Sequence, residues 1–228
     1  MGDDVGGKRQ GIHIGLIPDG NRRYAKKKNK APWYGHLVGA KKMYDFVEWC
    51  TEYPEIKRIT IYALSIENIE REREEVDKLW EIYKKEFQRL LTDDRISNNG
   101  IRVRILGNDG LWKPGMKEAV KEVVDSTKNY SKYILNIMLA YGSKFEINTA
   151  VKEMIKRPVS TIDRFLMVRE PLDLVIRTGG QHRLSNFMLY QASYAELAFT
   201  KKLWPEFTKR DFRKIMDWYF EQQRRFGK

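Results

Sequence analysis

Six short apolar runs set among stretches of helical periodicity constrain this 228-residue chain more than any other feature. The runs at residues 13–17, 58–64, 101–106, 133–140, 172–176 and 194–199 are rich in Ile, Leu, Val and Tyr. They read as strands. Apolar residues recur every three or four positions in 37–53, 74–91, 117–128, 145–155 and 209–225, which predicts helices. In 74–91 the repeat is Val76, Leu79, Trp80, Tyr83, Phe87 and Leu90. Strands spaced by helices of this length build βαβ units. The predicted fold class is therefore α/β, with a central, mostly parallel sheet of about six strands flanked by helices. No repeat, low-complexity tract or long Pro/Gly linker divides the chain, so residues 1–228 read as a single domain, with 1–11 flexible.

The contents of the chain exclude several functions. One cysteine, Cys50, rules out an internal disulfide framework and a Cys-clustered zinc site. His13, His36 and His182 lack the i, i+4 spacing of a helical metal pair. No apolar run approaches the roughly 20 residues of a membrane-spanning helix. The opening MGDDVGGKRQ has neither a signal-peptide nor a myristoylation pattern. These features predict a cytoplasmic protein, with peripheral membrane contact left open. Hydrophobic residues make up 42% of the chain, enough to bury a core at this length.

The charge is unevenly placed. The net charge is +12, and it lies at the two ends. Residues 1–42 carry ten basic side chains against three acidic, residues 201–228 nine against four, and the middle is balanced. If the ends meet, they form one basic region for an anionic partner; a solvated basic surface is the alternative. No helix-turn-helix, RRM or KH signature appears, so no nucleic-acid partner is predicted.

In parallel sheets, ligands bind beyond the carboxyl ends of the strands. Three such ends carry unusual residues. After the first strand comes Pro18-Asp19-Gly20-Asn21-Arg22-Arg23-Tyr24, opening a helix whose free N–H groups suit an anion. Arg23 adds a forked donor. Asp19 beside a phosphate is repulsive unless a cation intervenes, which suggests Mg²⁺. A plain helix cap and turn explains the same residues. After the run 172–176 comes Arg177-Thr178-Gly179-Gly180-Gln181-His182-Arg183-Leu184-Ser185-Asn186, a second candidate phosphate cradle that lacks the end of a Walker loop. After 58–64, the segment Ser65-Ile66-Glu67-Asn68 adds small polar groups. Glu196, inside the apolar run 194–199, is either a solvent-facing edge residue or a carboxylate sharing a metal with Asp19.

The segments HIGLIPDGNRRYA, GH at 35–36 with GA at 39–40, IYALSIEN, and DLVIRTGGQHRLSNFMLYQASYAELAFTKKLWPEF resemble the signatures of cis-prenyltransferases, the undecaprenyl-diphosphate-synthase-like enzymes. The resemblance runs in order from His13 to Gly227. It implies an α/β fold with a hydrophobic substrate tunnel, and a homodimer. It also implies Mg²⁺-dependent condensation of an allylic prenyl diphosphate with isopentenyl diphosphate to give a Z-prenyl diphosphate. By position, Asp19 is the essential acid and a metal ligand, with Glu196 as a second ligand that a partner subunit can supply. Asn21 and Ser65 lie near the reacting carbons. Gly20, Arg22, Arg23 and His36 surround the allylic diphosphate, and Asn68 and Arg71 join the substrate-binding set. Arg177, Arg183 and Ser185 hold the second diphosphate, and Arg225 and Gly227 match a C-terminal element that reaches the neighbouring site. Phe46, Val47, Trp80, Tyr83, Phe87, Ile134 and Ile137 are tunnel candidates that ordinary core packing explains as well.

The chain departs from the family pattern at four positions. Pro32 stands where an arginine is usual, Gln181 where an acid is usual, and Ile69 and Tyr24 where tryptophan is common. The first two change the charge at the head-group sites. The alternatives are therefore a changed acceptor, isopentenyl monophosphate or another prenyl phosphate, and a non-catalytic subunit that binds prenyl phosphates.

Overall fold

The computed structural model describes residues 11–157 and 159–222. The expectation of flexibility at 1–11 falls, apart from Gly11, outside these residues, as do Arg225 and Gly227. The strands are β1 (Ile12–Ile17), β2 (Ile56–Ser65), β3 (Ile101–Leu106), β4 (Tyr133–Tyr141), β5 (Leu174–Arg177) and β6 (Glu196–Phe199). They form one sheet in the order β3-β4-β2-β1-β5-β6, and every neighbouring pair is parallel. The helices are α1 (Asn21–Lys27), α2 (Pro32–Thr51), α3 (Arg73–Leu90), α4 (Asp94–Asn98), α5 (Met116–Thr127), α6 (Ser143–Lys156) and α7 (Lys209–Glu221).

Side chains alternate between the two faces of each strand. Ile14, Leu16, Ile59, Ile61, Val103, Leu135, Leu174 and Ile176 face the larger core, against α2, α3, α5 and α7. Ile17, Tyr62, Met138 and Val175 face a smaller core closed by Val168, Leu172, Phe187 and Met188. The chain leaves β1 towards β2 and leaves β5 towards β6, so the connections diverge between β1 and β5. That divergence opens a crevice at the carboxyl ends of the two strands.

The expected six-stranded parallel sheet is present, with no antiparallel pair among the described strands. Two details of the helices differ from expectation. α2 begins at Pro32 rather than 37, because proline at the first helical position supplies a preset φ and needs no N–H partner. Gly35, His36 and Gly39 break the apolar periodicity there, since that face meets α1 instead of the core. α4 went unread because a five-residue helix is too short to show a period.

The α1–α2 crossing is close. A Cβ on Gly35 would lie 1.9 Å from the Asn21 carbonyl oxygen, and one on Gly39 would lie 2.3 Å from Asn21 Oδ1. Two glycines one turn apart thus let α2 rest on the loop after β1. Trp204 fastens the same place, donating from Nε1 to the Gly39 carbonyl at 2.9 Å. Gly35→Ala is expected to cost about 3 kcal/mol through overpacking. The melting temperature should fall by roughly 6–12 °C. Gly110→Ala, whose Cβ would meet only Asn108 Oδ1 at 3.2 Å, should leave it within about 1 °C.

Candidate active site

The crevice between β1 and β5 is the floor of a cleft of about 890 Å³. Its organising contact joins the two strand ends. Asp19 follows β1, and Arg177 closes β5 with its side chain only 5% exposed. Arg177 Nη2 donates to Asp19 Oδ2 at 2.9 Å, and Nη1 donates to Ser185 Oγ at 2.7 Å and to the Arg183 carbonyl. The other oxygen of Asp19, Oδ1, accepts from Arg23 Nη2 at 3.2 Å. Arg23 also donates to the Gly179 carbonyl at 2.6 Å. The carboxylate is thus held between two guanidiniums from two loops.

The backbone of Asp19 is fixed as firmly. Its carbonyl accepts from the buried Thr178 hydroxyl at 2.7 Å and from Trp204 N at 3.0 Å. Gly179 has φ +83°, and a Cβ there would lie 2.4 Å from Arg23 Nη2. Glycine is required both by the left-handed backbone and by the guanidinium beside it. Ser185 and Asn186 are non-glycine residues at φ 49° and 64°. Hydrogen bonds hold that turn: Asn186 Nδ2 donates to Glu67 Oε1 at 2.7 Å, and Lys144 N donates to Asn186 Oδ1 at 2.9 Å. The second loop is thereby tied to the end of β2 and the start of α6.

Gly20, Asn21, Arg22, Arg23, His36, Ser65, Asn68, Arg71, Arg183 and Ser185 all line this one cleft with Asp19 and Arg177. Pro32 lines it too. Asn21 donates to the Pro18 carbonyl at 3.0 Å, while its Oδ1 is buried without a partner. Ser65 caps the short helix after β2, its Oγ accepting from Asn68 N at 3.2 Å. Gln181 accepts from Arg183 Nη1 at 2.7 Å, so the amide keeps an acceptor there without a charge.

Glu196 is elsewhere. It opens β6 opposite Leu174, whereas Arg177 is opposite Phe199. Three residues of parallel strand put it roughly 10 Å nearer the amino ends. It is half-buried and does not line the cleft. The reading in which Asp19 and Glu196 of one chain share a metal is corrected by this register.

Sequence reading missed three contributors. Lys26 and Lys30 line the cleft, raising its cationic side chains among the described residues to seven, against Asp19 as the one described carboxylate lining it. Glu75 is buried on α3, with Arg71 Nη1 at 3.3 Å, Arg22 Nη2 at 3.5 Å and His36 Nε2 at 4.0 Å. The Arg71/Glu75 spacing of four was its only local signal. The two charged ends do meet in part, since Leu203 and Trp204 pack on Gly20 and Asp19, and Lys27 pairs with Glu206 at 2.7 Å.

A second, apolar cavity of about 70 Å³ lies between α2, α3 and the sheet. Ala63 lines both cavities. Of the tunnel candidates, Val47, Tyr83, Phe87 and Ile137 line the apolar one, joined by Met43, Tyr44 and Ile61. Phe46 instead packs edge-on against Trp204 and Phe212, and Trp80 is core. Ile134 is on the opposite face of β4 from Ile137, because three residues reverse the side of a strand.

Among the described residues, no group of three His, Cys, Asp or Glu side chains could hold a metal. That excludes an all-protein cage. One carboxylate in a cationic cleft does fit Mg²⁺, which commonly takes one or two carboxylates and completes its shell with phosphate oxygens and water.

The chain was compared with known proteins. A prenyltransferase family model described as "Putative undecaprenyl diphosphate synthase" matches residues 17–227. The tritrans,polycis-undecaprenyl-diphosphate synthase (geranylgeranyl-diphosphate specific) of Pyrococcus horikoshii is 42% identical, covering 95% of this chain and 86% of that protein. Lavandulyl diphosphate synthase from Lavandula x intermedia, solved with dimethylallyl diphosphate, superposes with a TM-score of 0.88 at 26% identity, covering 96% of this chain and 99% of that one. A protein of Campylobacter jejuni described as a probable undecaprenyl diphosphate synthase gives 0.82 at 28% identity, covering 97% and 100%. The chain belongs to the undecaprenyl diphosphate synthase family of prenyltransferases.

Two buried histidines give the fold a pH dependence. Burial, then Arg71 and Arg22, pull His36 down to about 3. Burial, then Arg58, does the same to His13, whose ring nitrogens meet Thr60 Oγ1 at 2.7 Å and the Pro171 carbonyl at 3.1 Å. Both folded-state values lie below the unfolded 6.5, so below that pH the unfolded chain binds protons that the folded chain does not. Stability is therefore full above about pH 6.5 and falls on acidification, by up to roughly 1.4 kcal/mol per pH unit per histidine. Urea unfolding between pH 7 and 5.5 should show this slope, and His36→Gln should remove about half of it.

Proposed function

We propose that this enzyme condenses an allylic prenyl diphosphate with isopentenyl diphosphate to give a Z-prenyl diphosphate. One observation carries the reading: a cationic cleft built around Asp19 lies beside an apolar cavity, with Ala63 lining both. A diphosphate head and a hydrocarbon tail need those two environments side by side.

The first head-group position is the wall formed by Gly20, Asn21, Arg22, Arg23, His36 and Arg71. The N-terminus of α1 and the guanidiniums supply its donors. The second is the loop of Arg177, Arg183 and Ser185. Breaking the allylic C–O bond leaves carbocation character on carbon and charge on the departing diphosphate. Donors already fixed in place stabilise that charge without reorganising. The alkene of the second substrate forms the new C–C bond, and a proton then leaves the attacked unit. Asn21, at the start of α1, and Ser65, at the end of β2, line the same cleft, where they can orient the reacting carbons. Mg²⁺, held by Asp19 with substrate oxygens, supplies further charge stabilisation when bound.

The tail occupies the apolar cavity. At about 70 Å³ it has room for about two waters, at roughly 30 Å³ each. A growing prenyl chain needs more room than this cavity offers as it stands, so its lining must give way as the tail enters. The single sheet supports the one-domain reading. A homodimer is supported by β6, an edge strand that exposes Leu197, and by Leu189 and Tyr190, also exposed. Glu196 lies on that strand, where a partner subunit's cleft is the one it would serve. No described helix is long and apolar enough to cross a membrane. Peripheral contact from the cytoplasmic side is supported by Trp218 and Phe220, exposed on α7 near Arg213 and Lys214. Gln181, neutral beside Arg183, keeps isopentenyl monophosphate as the competing acceptor.

Purified protein with Mg²⁺ should extend allylic diphosphates with labelled isopentenyl diphosphate, the products being sized by mass spectrometry. EDTA should abolish the ladder, and Asp19→Ala should lower the rate by roughly 1,000-fold. Product from isopentenyl monophosphate alone would place the change at the acceptor loop. Product from neither would leave a non-catalytic binder of prenyl phosphates.

A further inference from the structure

Glu75 is 6% exposed, yet no contact with substrate is open to it, because Arg22, His36 and Arg71 stand between it and the cleft. A buried carboxylate is costly unless it is paired. Here its two oxygens divide their partners. Oε1 accepts from Arg71 Nη1 at 3.3 Å and lies 4.0 Å from His36 Nε2, while Oε2 lies 3.5 Å from Arg22 Nη2.

The three partners come from separate elements. Arg22 is on α1, His36 on α2, and Arg71 precedes α3. Arg22 is 55% exposed, and among the described residues no other carboxylate lies within 4.0 Å of it or of Arg71. Two long side chains with such freedom lose considerable entropy when an anion orders them. A carboxylate that holds them beforehand lowers that cost at binding. His36 adds a neutral ring whose Nε2 is buried without a hydrogen-bond partner.

We infer that Glu75 is a positioning residue: it gathers Arg22, His36 and Arg71 into one preformed wall for the allylic diphosphate. The inference rests on the function proposed above. It also makes a prediction opposite in sign to simple electrostatics. Removing a negative charge behind an anion site should tighten anion binding by Coulomb's law. Removing an organiser of the site should weaken it.

Glu75→Gln, which keeps the volume, is the variant of choice. Its KM for the allylic diphosphate should rise at least ten-fold. KM for isopentenyl diphosphate, kcat within three-fold and the melting temperature should hold, since Arg177, Arg183 and Ser185 are not touched. In an Arg22→Gln/Arg71→Gln background the same change should have no further effect. An unchanged or lowered allylic KM overturns the inference, as does an equal rise in both KM values. Calorimetric titration with inorganic pyrophosphate needs no turnover: weaker binding to Glu75→Gln supports the inference, and equal or tighter binding overturns it. If the unaltered enzyme transfers no prenyl group, the proposed function fails, and the pyrophosphate titration still decides the role of Glu75.

Discussion

The Asp19–Arg177 pair is the contact on which the site depends. It ties the loop after β1 to the end of β5 across the crevice where the chain's connections diverge. Arg177 is almost fully buried, and breaking a pair of this kind by removing one partner costs roughly 3–5 kcal/mol. The pair is not isolated. Arg177 also orders Ser185 and the Arg183 carbonyl, and Asp19 also holds Arg23, which reaches back to Gly179. Two loops 158 residues apart in sequence thus share one hydrogen-bonded network.

This network is rigid where the chemistry needs donors and open where it needs anions. Among the described residues seven cationic side chains line the cleft against one carboxylate, so the site carries an unbalanced positive field. Glu75 offsets part of it from behind the wall, while Gly35 and Gly39 let α2 come close enough for His36 to join. An apolar cavity lies beside it, and Ala63 lines both.

Much of this was legible in the chain. The six strand runs are the six strands, and the helices at 74–91, 117–128 and 209–225 lie within two residues of α3, α5 and the start of α7. Period-two and period-3.6 patterns survive because each element buries one face. Arg177 and Arg183 stood out because two arginines beside a buried strand end need partners, whereas Asp19 and Arg23, which a plain cap and turn explains as well, stood out through the family resemblance. Legibility failed where a residue's environment comes from another element. The start of α2 was hidden because its first turns face α1. Glu75 read as one more acid in a charged helix, and Ile134 was grouped with Ile137 although they face opposite sides of the sheet.

The sequence by itself determined the α/β class, the strands and the longer helices, the basic excess and the arginine- and glycine-bearing loops after the first and fifth strands. Each of these is written in spacing and residue type over a few turns of chain. Only the tertiary structure decided the strand order, and with it which strand ends face one another. It also set Glu196 at the far end of its strand and Glu75 behind three cleft residues. These depend on register and on crossings between segments far apart in sequence, which close packing of the whole chain fixes and no local pattern records.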